Sequence, residues 1–221
     1  MTAGSGSASS EISEALTVGR VVAVLRAASA EHFEAATEVL IKEGIRAIEV
    51  TLTTAGAVQA LRSIVRSAPG SVAVGAGSVM SVAHVRDATE AGAQFLVSPV
   101  MQPHVLAAGR SSGVPMYPGA LTPTELSAAS DAGAPLVKLF PASAVGPRYI
   151  KDLHGPMPNI KIMPTGGISL SDIGSWLQAG ALAVGMGGPL LGDALTGGSL
   201  ADLATRARQA VAAVPPQDPG R

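Results

Sequence analysis

The sequence predicts an α/β protein folded as a single (β/α)8 TIM barrel with a short N-terminal helix. Three observations support this fold class: the chain length, a repeated helix–glycine–strand unit, and eight strand candidates that begin roughly 20–25 residues apart. The 221 residues are 47% hydrophobic and 14% charged, a composition that can bury one large core. Helices that alternate with apolar strands require a parallel sheet covered by helices. Eight such units favour the closed barrel over a doubly wound open sheet, which is the alternative.

The repeated unit is a helical segment that ends at glycine and is followed at once by an apolar strand. Glycine readily adopts the left-handed conformation that ends a helix. Five predicted strands follow such a glycine, at Gly44, Gly92, Gly113, Gly133 and Gly180. The eight predicted strands are 20–25, 45–50, 71–74, 93–97, 114–117, 134–139, 159–163 and 181–186.

The predicted helix starts agree with this spacing. Ser29, Ser81 and Ser171 are expected to be N-cap residues. Residues 122–125, with the sequence TPTE, predict a capping box with proline at the first helical position. A short helix over residues 12–19 is expected to plug the floor of the barrel.

One folded domain is predicted over residues 12–213. The flanking segments, 1–11 and 214–221, are rich in Gly, Ser, Ala or Pro and are predicted to be disordered tails.

Composition excludes several classes of function. A net charge of −1 gives no reason to expect nucleic acid or an anionic membrane as a partner. The chain has no Cys, and its four His residues do not show metal-ligand spacing, so a metal site built from these residues is not expected. No other cofactor is expected. With neither a signal peptide nor a membrane-spanning run in the sequence, a cytoplasmic location is expected.

Two charged residues lie inside apolar strands. Lys138 lies within the buried run 136–141, and Glu49 lies between apolar neighbours in the second predicted strand. Burying either charge is costly unless it is paired or takes part in chemistry. Strand alternation places Glu49 on the inward face. The pair therefore indicates either a structural ion pair or a nucleophilic amine with a proton shuttle.

The ends of the other strands carry further candidates, because the βα loops of a barrel hold its chemistry. Arg26 suits a carboxylate or phosphate at the barrel mouth. The glycines of residues 75–77 allow backbone to approach a ligand, and Ser78 adds a hydroxyl. Two glycine-rich turns, 165–167 and 187–188, follow the last two strands, where barrels bind phosphate.

The motifs at the strand ends also occur, in this order, in a known family. Along the chain they are VAVLR at 22–26, IEVT at 48–51, GAGSV at 75–79, VSP at 97–99, PG at 118–119, TPTE at 122–125, KLFP at 138–141 and PTGGI at 164–168. The set closely resembles the 2-keto-3-deoxy-6-phosphogluconate (KDPG) aldolase family, which includes the 4-hydroxy-2-oxoglutarate (KHG) aldolases. The resemblance covers roughly residues 12–210, and it implies a class I, metal-independent, trimeric (β/α)8 aldolase.

The resemblance also implies roles for individual residues. Lys138 resembles the Schiff-base lysine and Glu49 the general acid/base, while Ser78 replaces a threonine whose hydroxyl lies near the pyruvate carboxylate. Pro99 and Phe140 are expected to line the space around the imine. The phosphate-binding turns correspond to Thr165, Gly166, Gly167, Gly187 and Gly188.

Two positions depart from the family pattern. Thr53 stands where some members have an arginine that contacts the substrate carboxylate, and Arg26 is expected to supply that charge. Gly188 replaces a common serine in the last turn, so that one side-chain bond to phosphate is lost.

The expected reaction is cleavage of KDPG to pyruvate and glyceraldehyde 3-phosphate. The alternatives are the corresponding phosphogalactonate aldolase or a KHG aldolase. More distant alternatives are a phosphosugar epimerase or decarboxylase, which needs no imine, and an inactive phosphate-binding barrel.

Overall fold

A computed structural model of the protein describes residues 12–216. The predicted tail 1–11 and the last five residues of the predicted C-terminal tail lie outside these residues. The strands are β1 Val21–Leu25, β2 Ala47–Thr51, β3 Ala73–Gly77, β4 Leu96–Val97, β5 Met116–Tyr117, β6 Gly119–Ala120, β7 Val137–Leu139, β8 Ile162–Pro164 and β9 Val184–Met186. The helices are α1 Glu14–Gly19, α2 Phe33–Lys42, α3 Ala57–Ser67, α4 Val82–Glu90, α5 Pro103–Ser111, α6 Pro123–Asp131, α7 Arg148–His154, α8 Ile173–Gln178, α9 Gly188–Leu191 and α10 Leu200–Ala212.

The strands form two parallel sheets in which chain neighbours pair with each other. One sheet has the order β5-β4-β3-β2-β1-β9, and the other has the order β6-β7-β8. The first strand therefore pairs with the last, and the order does not reverse as it does in a doubly wound sheet. Helices follow the strands in alternation, as the sequence predicts.

Every predicted strand overlaps an observed one, but seven of the eight predicted strands begin two or three residues before the observed strand, and two differ further. The predicted strand 114–117 continues as β6 beyond Pro118, a residue that cannot donate a backbone hydrogen bond. The third strand ends at Gly77 rather than at residue 74, so that its glycines belong to the strand and not to the loop.

The helix-ending glycines have the predicted conformation. The five glycines that precede strands have φ values between 76° and 111°, in the left-handed region. These are Gly44, Gly92, Gly113, Gly133 and Gly180.

Buried side chains fall into two clusters on opposite faces of the strands. The larger cluster contains the side chains between strands and helices, including Ile48, Val50, Val137 and Leu139. The smaller cluster lies inside the curled sheet and includes Leu136 and Leu16. Because Leu16 belongs to α1, the leading helix contributes to the interior, as predicted.

The predicted N-caps are partly correct. The Ser81 side chain accepts the N–H of His84, and Thr122 and Glu125 form the predicted capping box. Two backbone N–H groups, of Thr122 first and then of Leu121, lower the pKa of Glu125.

The other two predicted caps, Ser29 and Ser171, are wrong. Ser29 pairs in parallel with Ala55 and its Oγ accepts the N–H of Glu31 at 3.4 Å, but α2 begins only at Phe33 and its N-cap position is taken by His32. Ser171 lies within a 3-10 turn, and its hydroxyl bonds to that of Ser169.

Among the helices of residues 12–216, none has the length and apolar character needed to cross a membrane.

Candidate active site

Lys138 lies at the centre of β7 and points into the interior of the curled sheet. It alternates with Val137 and Leu139, which face the helices, and its residue is only 3% exposed. Its Nζ lies 5.1 Å from the centre of the Phe140 ring, a distance at which the ring attracts a cation.

Glu49 lies on β2 and is fully buried. Its carboxylate lies directly over Gly77 of β3, where any Cβ would collide with the carboxylate atoms. The glycines of β3 therefore make room for inward side chains: Gly77 for Glu49 and Gly75 for the Phe95 ring. Neither Glu49 oxygen has a hydrogen-bond partner among the described residues.

Lys138 and Glu49 face each other across the interior. The Lys138 Nζ lies 3.9 Å from the Glu49 Oε1, and both side chains are at most 4% exposed. This distance allows an ion pair but exceeds the 2.7–3.2 Å of a direct hydrogen bond. At this separation an amine and a carboxylate can both contact one reacting molecule.

Arg26 and Ser78 meet at the ends of β1 and β3. The Arg26 guanidinium donates to the Ser78 Oγ at 3.0 Å, and Arg26 is exposed whereas Ser78 is buried. Ser78 has a positive φ of 57°, which few residues with side chains adopt. The structure thus brings these two predicted site residues together, and the guanidinium is available to an anion at this end of the strands.

Thr53 lies on the exposed loop after β2 and makes no side-chain hydrogen bond within residues 12–216. Its neighbour Thr54 is buried, bonds to the Thr51 hydroxyl and accepts the N–H of Ala27. The loops after β1 and β2 are therefore joined, and Thr53 is carried on the same pair of loops as Arg26.

Pro99 is half-buried on the loop after β4. Its backbone lies so close to Gly119 that a Cβ at Gly119 would collide with it. This contact fixes the loop against β6.

The turn at residues 165–167 lies between two side chains from the loop after β7. A Cβ on Gly166 would lie 3.2 Å from the Phe140 ring, and one on Gly167 would lie 2.6 Å from the Cβ of Ser143. Both glycines have positive φ values. The Thr165 side chain is buried against Gly185 and does not point into the turn.

The second glycine turn follows β9 and is linked to the first one. Thr165 forms an isolated parallel bridge with Gly185, two residues before Gly187. Gly188 begins α9, and no atom lies within 4 Å of the position that its Cβ would take. The two turns are therefore neighbours, with open space at the second.

No group of three or more His, Asp or Glu side chains in residues 12–216 is arranged to hold a metal ion.

Two features of the site do not follow from the sequence patterns. Gly77 supports Glu49, although its position in the sequence suggested that it opens the backbone to a ligand. Ser143 lies against Gly167, although no motif in the sequence singles it out. A signal for Gly77 is present in the sequence of β3. Ala73, Gly75 and Gly77 occupy every second position, so the inward face of this strand carries only small residues, and larger side chains from neighbouring strands are expected to lie over it.

Comparison with known proteins matches residues 12–203 to a sequence model of the family described as KDPG and KHG aldolase. The KHG/KDPG aldolase of Escherichia coli K12 is 36% identical over 198 residues, which are 89% of this chain and 92% of that protein. A probable 2-dehydro-3-deoxy-6-phosphogalactonate aldolase of Rhizobium meliloti is 32% identical over 181 residues, covering 81% of this chain and 85% of that protein.

A solved structure is similar over most of its length. The KDPG aldolase of Legionella pneumophila, crystallised with pyruvate captured as a covalent carbinolamine, is 28% identical and superposes with a TM-score of 0.81. The match covers 91% of this chain and 97% of that one.

Proposed function

Because the chain belongs to the KDPG and KHG aldolase family, we propose that it is a class I, metal-independent aldolase that cleaves KDPG. The products are pyruvate and glyceraldehyde 3-phosphate. The observation that carries this proposal is the buried pair of Lys138 and Glu49, with 3.9 Å between Nζ and Oε1. An amine and a carboxylate at this separation provide a nucleophile and a proton carrier for one substrate.

The reaction begins at Lys138. Its deprotonated amine attacks the C2 ketone to give a carbinolamine, and loss of water then gives a protonated imine. The Phe140 ring, 5.1 Å from Nζ, faces this cation and limits access of water. The captured pyruvate carbinolamine of the Legionella pneumophila aldolase supports this covalent route.

Glu49 moves the protons. Directly or through one water, it takes the proton of the C4 hydroxyl, and the C3–C4 bond then breaks. The electron pair of that bond moves into the imine, which becomes an enamine, and glyceraldehyde 3-phosphate leaves. Protonation of the enamine carbon and hydrolysis of the imine release pyruvate and restore Lys138.

The two ends of the substrate are held by different loops. Arg26 and Ser78 bind the carboxylate beside C2, where Arg26 supplies the charge that Thr53 lacks. Backbone groups of Thr165, Gly166, Gly167, Gly187 and Gly188 bind the phosphate. Pro99 and Phe140 wall the space between these ends, so that the reacting bond is oriented toward Glu49.

We also infer that the two sheets close into one eight-stranded barrel. Three features support closure: the chain runs directly from β5 to β6, Thr165 bridges Gly185, and the N–H of Leu182 donates to the Ile162 carbonyl at 2.9 Å. The last two join β8 to the strand β9 of the other sheet.

A homotrimer is proposed as the assembly. The family resemblance supports it, and three exposed apolar residues, Met80, Val82 and Val100, offer surface for an interface. Size-exclusion chromatography with light scattering measures the molar mass in solution and so tests for three copies of the chain.

The substrate alternatives are the phosphogalactonate epimer and unphosphorylated KHG, since relatives named for each of these activities occur. A retro-aldol assay that couples pyruvate release to a reductase distinguishes them. We expect the highest kcat/KM with KDPG, and no loss of activity in EDTA. A higher kcat/KM with either alternative reassigns the substrate, and absence of pyruvate release from all three contradicts the aldolase assignment of the site.

A further inference from the structure

Ser143 lies directly on the first glycine turn. It belongs to the short 3-10 segment Ala142–Ala144 that follows β7. Its N–H donates to the Gly166 carbonyl at 3.0 Å, and the N–H of Ala142 donates to the Thr165 carbonyl at 2.9 Å. A Cβ on Gly167 would lie 3.1 Å from the Ser143 Oγ. Backbone contacts therefore hold this hydroxyl beside residues 165–167.

The Ser143 hydroxyl is available to a ligand. The residue is exposed, and within residues 12–216 its side chain makes no hydrogen bond. Thr165 differs, because its buried hydroxyl faces the Met163 carbonyl at 3.5 Å. Gly188, in the second turn, has no side chain to contribute.

We propose that the Ser143 hydroxyl donates a hydrogen bond to the phosphoryl group of the substrate and strengthens the preference for phosphorylated substrates. This inference rests on the proposed function, which places the phosphate at the two glycine turns. A hydroxyl that donates to a phosphate forms a charge-assisted bond, stronger than one between neutral groups. Because the other groups proposed to bind phosphate are backbone groups, loss of this one side chain has a measurable effect on selectivity.

The test compares KDPG with 2-keto-3-deoxygluconate, which lacks the phosphate. The measured quantity is the ratio of their kcat/KM values in wild type, in Ser143→Ala and in Ser111→Ala. The last variant removes an exposed hydroxyl at the end of α5 and serves as the matched control. In Ser143→Ala the ratio falls about tenfold, the size expected for one hydrogen bond to a charged group. The inhibition constant of inorganic phosphate, used as a competitive inhibitor, rises by a similar factor in Ser143→Ala.

The possible outcomes separate this inference from its premise. A ratio in Ser143→Ala within twofold of wild type overturns the role of Ser143 while the phosphate site and aldolase activity stand. Equal losses for both substrates also overturn it, because they indicate a structural effect. If wild type itself shows no preference for KDPG, the phosphate site and this inference fail together. If wild type cleaves neither substrate, the proposed function fails.

Discussion

The Glu49 carboxylate lies against the bare Cα of Gly77 on the neighbouring strand, at a place where a methyl group would overlap it. The parallel pairing of β2 with β3 aligns Glu49 with Gly75 and Thr51 with Gly77, so the carboxylate extends along β3 toward its end. This contact directs Glu49 toward Lys138.

Gly77→Ala is expected to displace Glu49 without removing it. The added methyl forces the carboxylate away from its position 3.9 Å from the Lys138 Nζ, and kcat falls by about a hundredfold, within the range for a lost proton carrier. Steady-state assays measure the loss. The matched control is Gly70→Ala, because no atom lies within 4 Å of a Cβ at that position. Equal activity in the two variants would show that Gly77 does not position Glu49.

Glu49→Gln is expected to lower kcat by about 10²–10⁴-fold, since an amide retains the shape of the side chain but cannot carry the proton. The rate of pyruvate release in the coupled assay measures the effect. Glu90→Gln, which changes an exposed carboxylate at the end of α4, is the control and retains activity. Turnover of Glu49→Gln within about threefold of wild type would rule out the proton role.

Arg26→Ala is expected to raise KM for KDPG by about tenfold or more, because a charge-assisted bond to the substrate carboxylate is lost. The exposed Arg66 of α3 provides the control variant, Arg66→Ala. The double variant Arg26→Ala/Thr53→Arg recovers part of the loss, since both positions lie on the joined loops after β1 and β2. An unchanged KM in Arg26→Ala would assign carboxylate binding to other groups.

Tyr117 is expected to make the free energy of unfolding depend on pH in the alkaline range. Burial raises the pKa of this phenol well above its usual value, and the backbone at Ser13 lowers it by less. In the unfolded chain the phenol loses its proton near pH 10, whereas in the fold it stays protonated. The free energy of unfolding therefore falls as pH rises above about 10, by about 1.4 kcal/mol per pH unit from this group.

Tyr117→Phe removes that contribution, and urea titrations at pH 9 and at pH 11 measure it. Tyr149→Phe is the comparison variant: Tyr149 is the other tyrosine of the chain, burial raises its pKa in the same direction, and it is partly exposed. The difference in stability between the two pH values is expected to shrink more in Tyr117→Phe than in Tyr149→Phe, because burial raises the pKa of Tyr117 more. Equal differences in wild type and Tyr117→Phe would contradict this account.

The sequence predicts the strands and the inward direction of Glu49 and Lys138 because both depend on local patterns. A helix-ending glycine and a period of two are properties of a few consecutive residues. The wrong N-caps show where this fails: Ser29 is a good cap by type, but it pairs with Ala55, which is distant in sequence, and the helix begins only at Phe33.

The roles of Gly77 and Ser143 depend on contacts between strands and loops. Which side chain lies over Gly77 follows from the register of β2 on β3, and a single sequence does not define a register. Ser143 reaches Gly167 only because the loop after β7 folds onto the turn after β8. Such contacts are tertiary, and no local spacing reports them.

The most direct test of the central claim is borohydride reduction in the presence of pyruvate, followed by peptide mass spectrometry. The proposed Lys138 amine beside Glu49 forms an imine with pyruvate, and borohydride converts this imine to a stable adduct. We expect this adduct on the peptide containing Lys138 in wild type, and its absence in Lys138→Ala, with Lys161→Ala as the exposed-lysine control that retains it. Absence of an adduct in wild type, or an adduct on another lysine, would contradict the proposed mechanism.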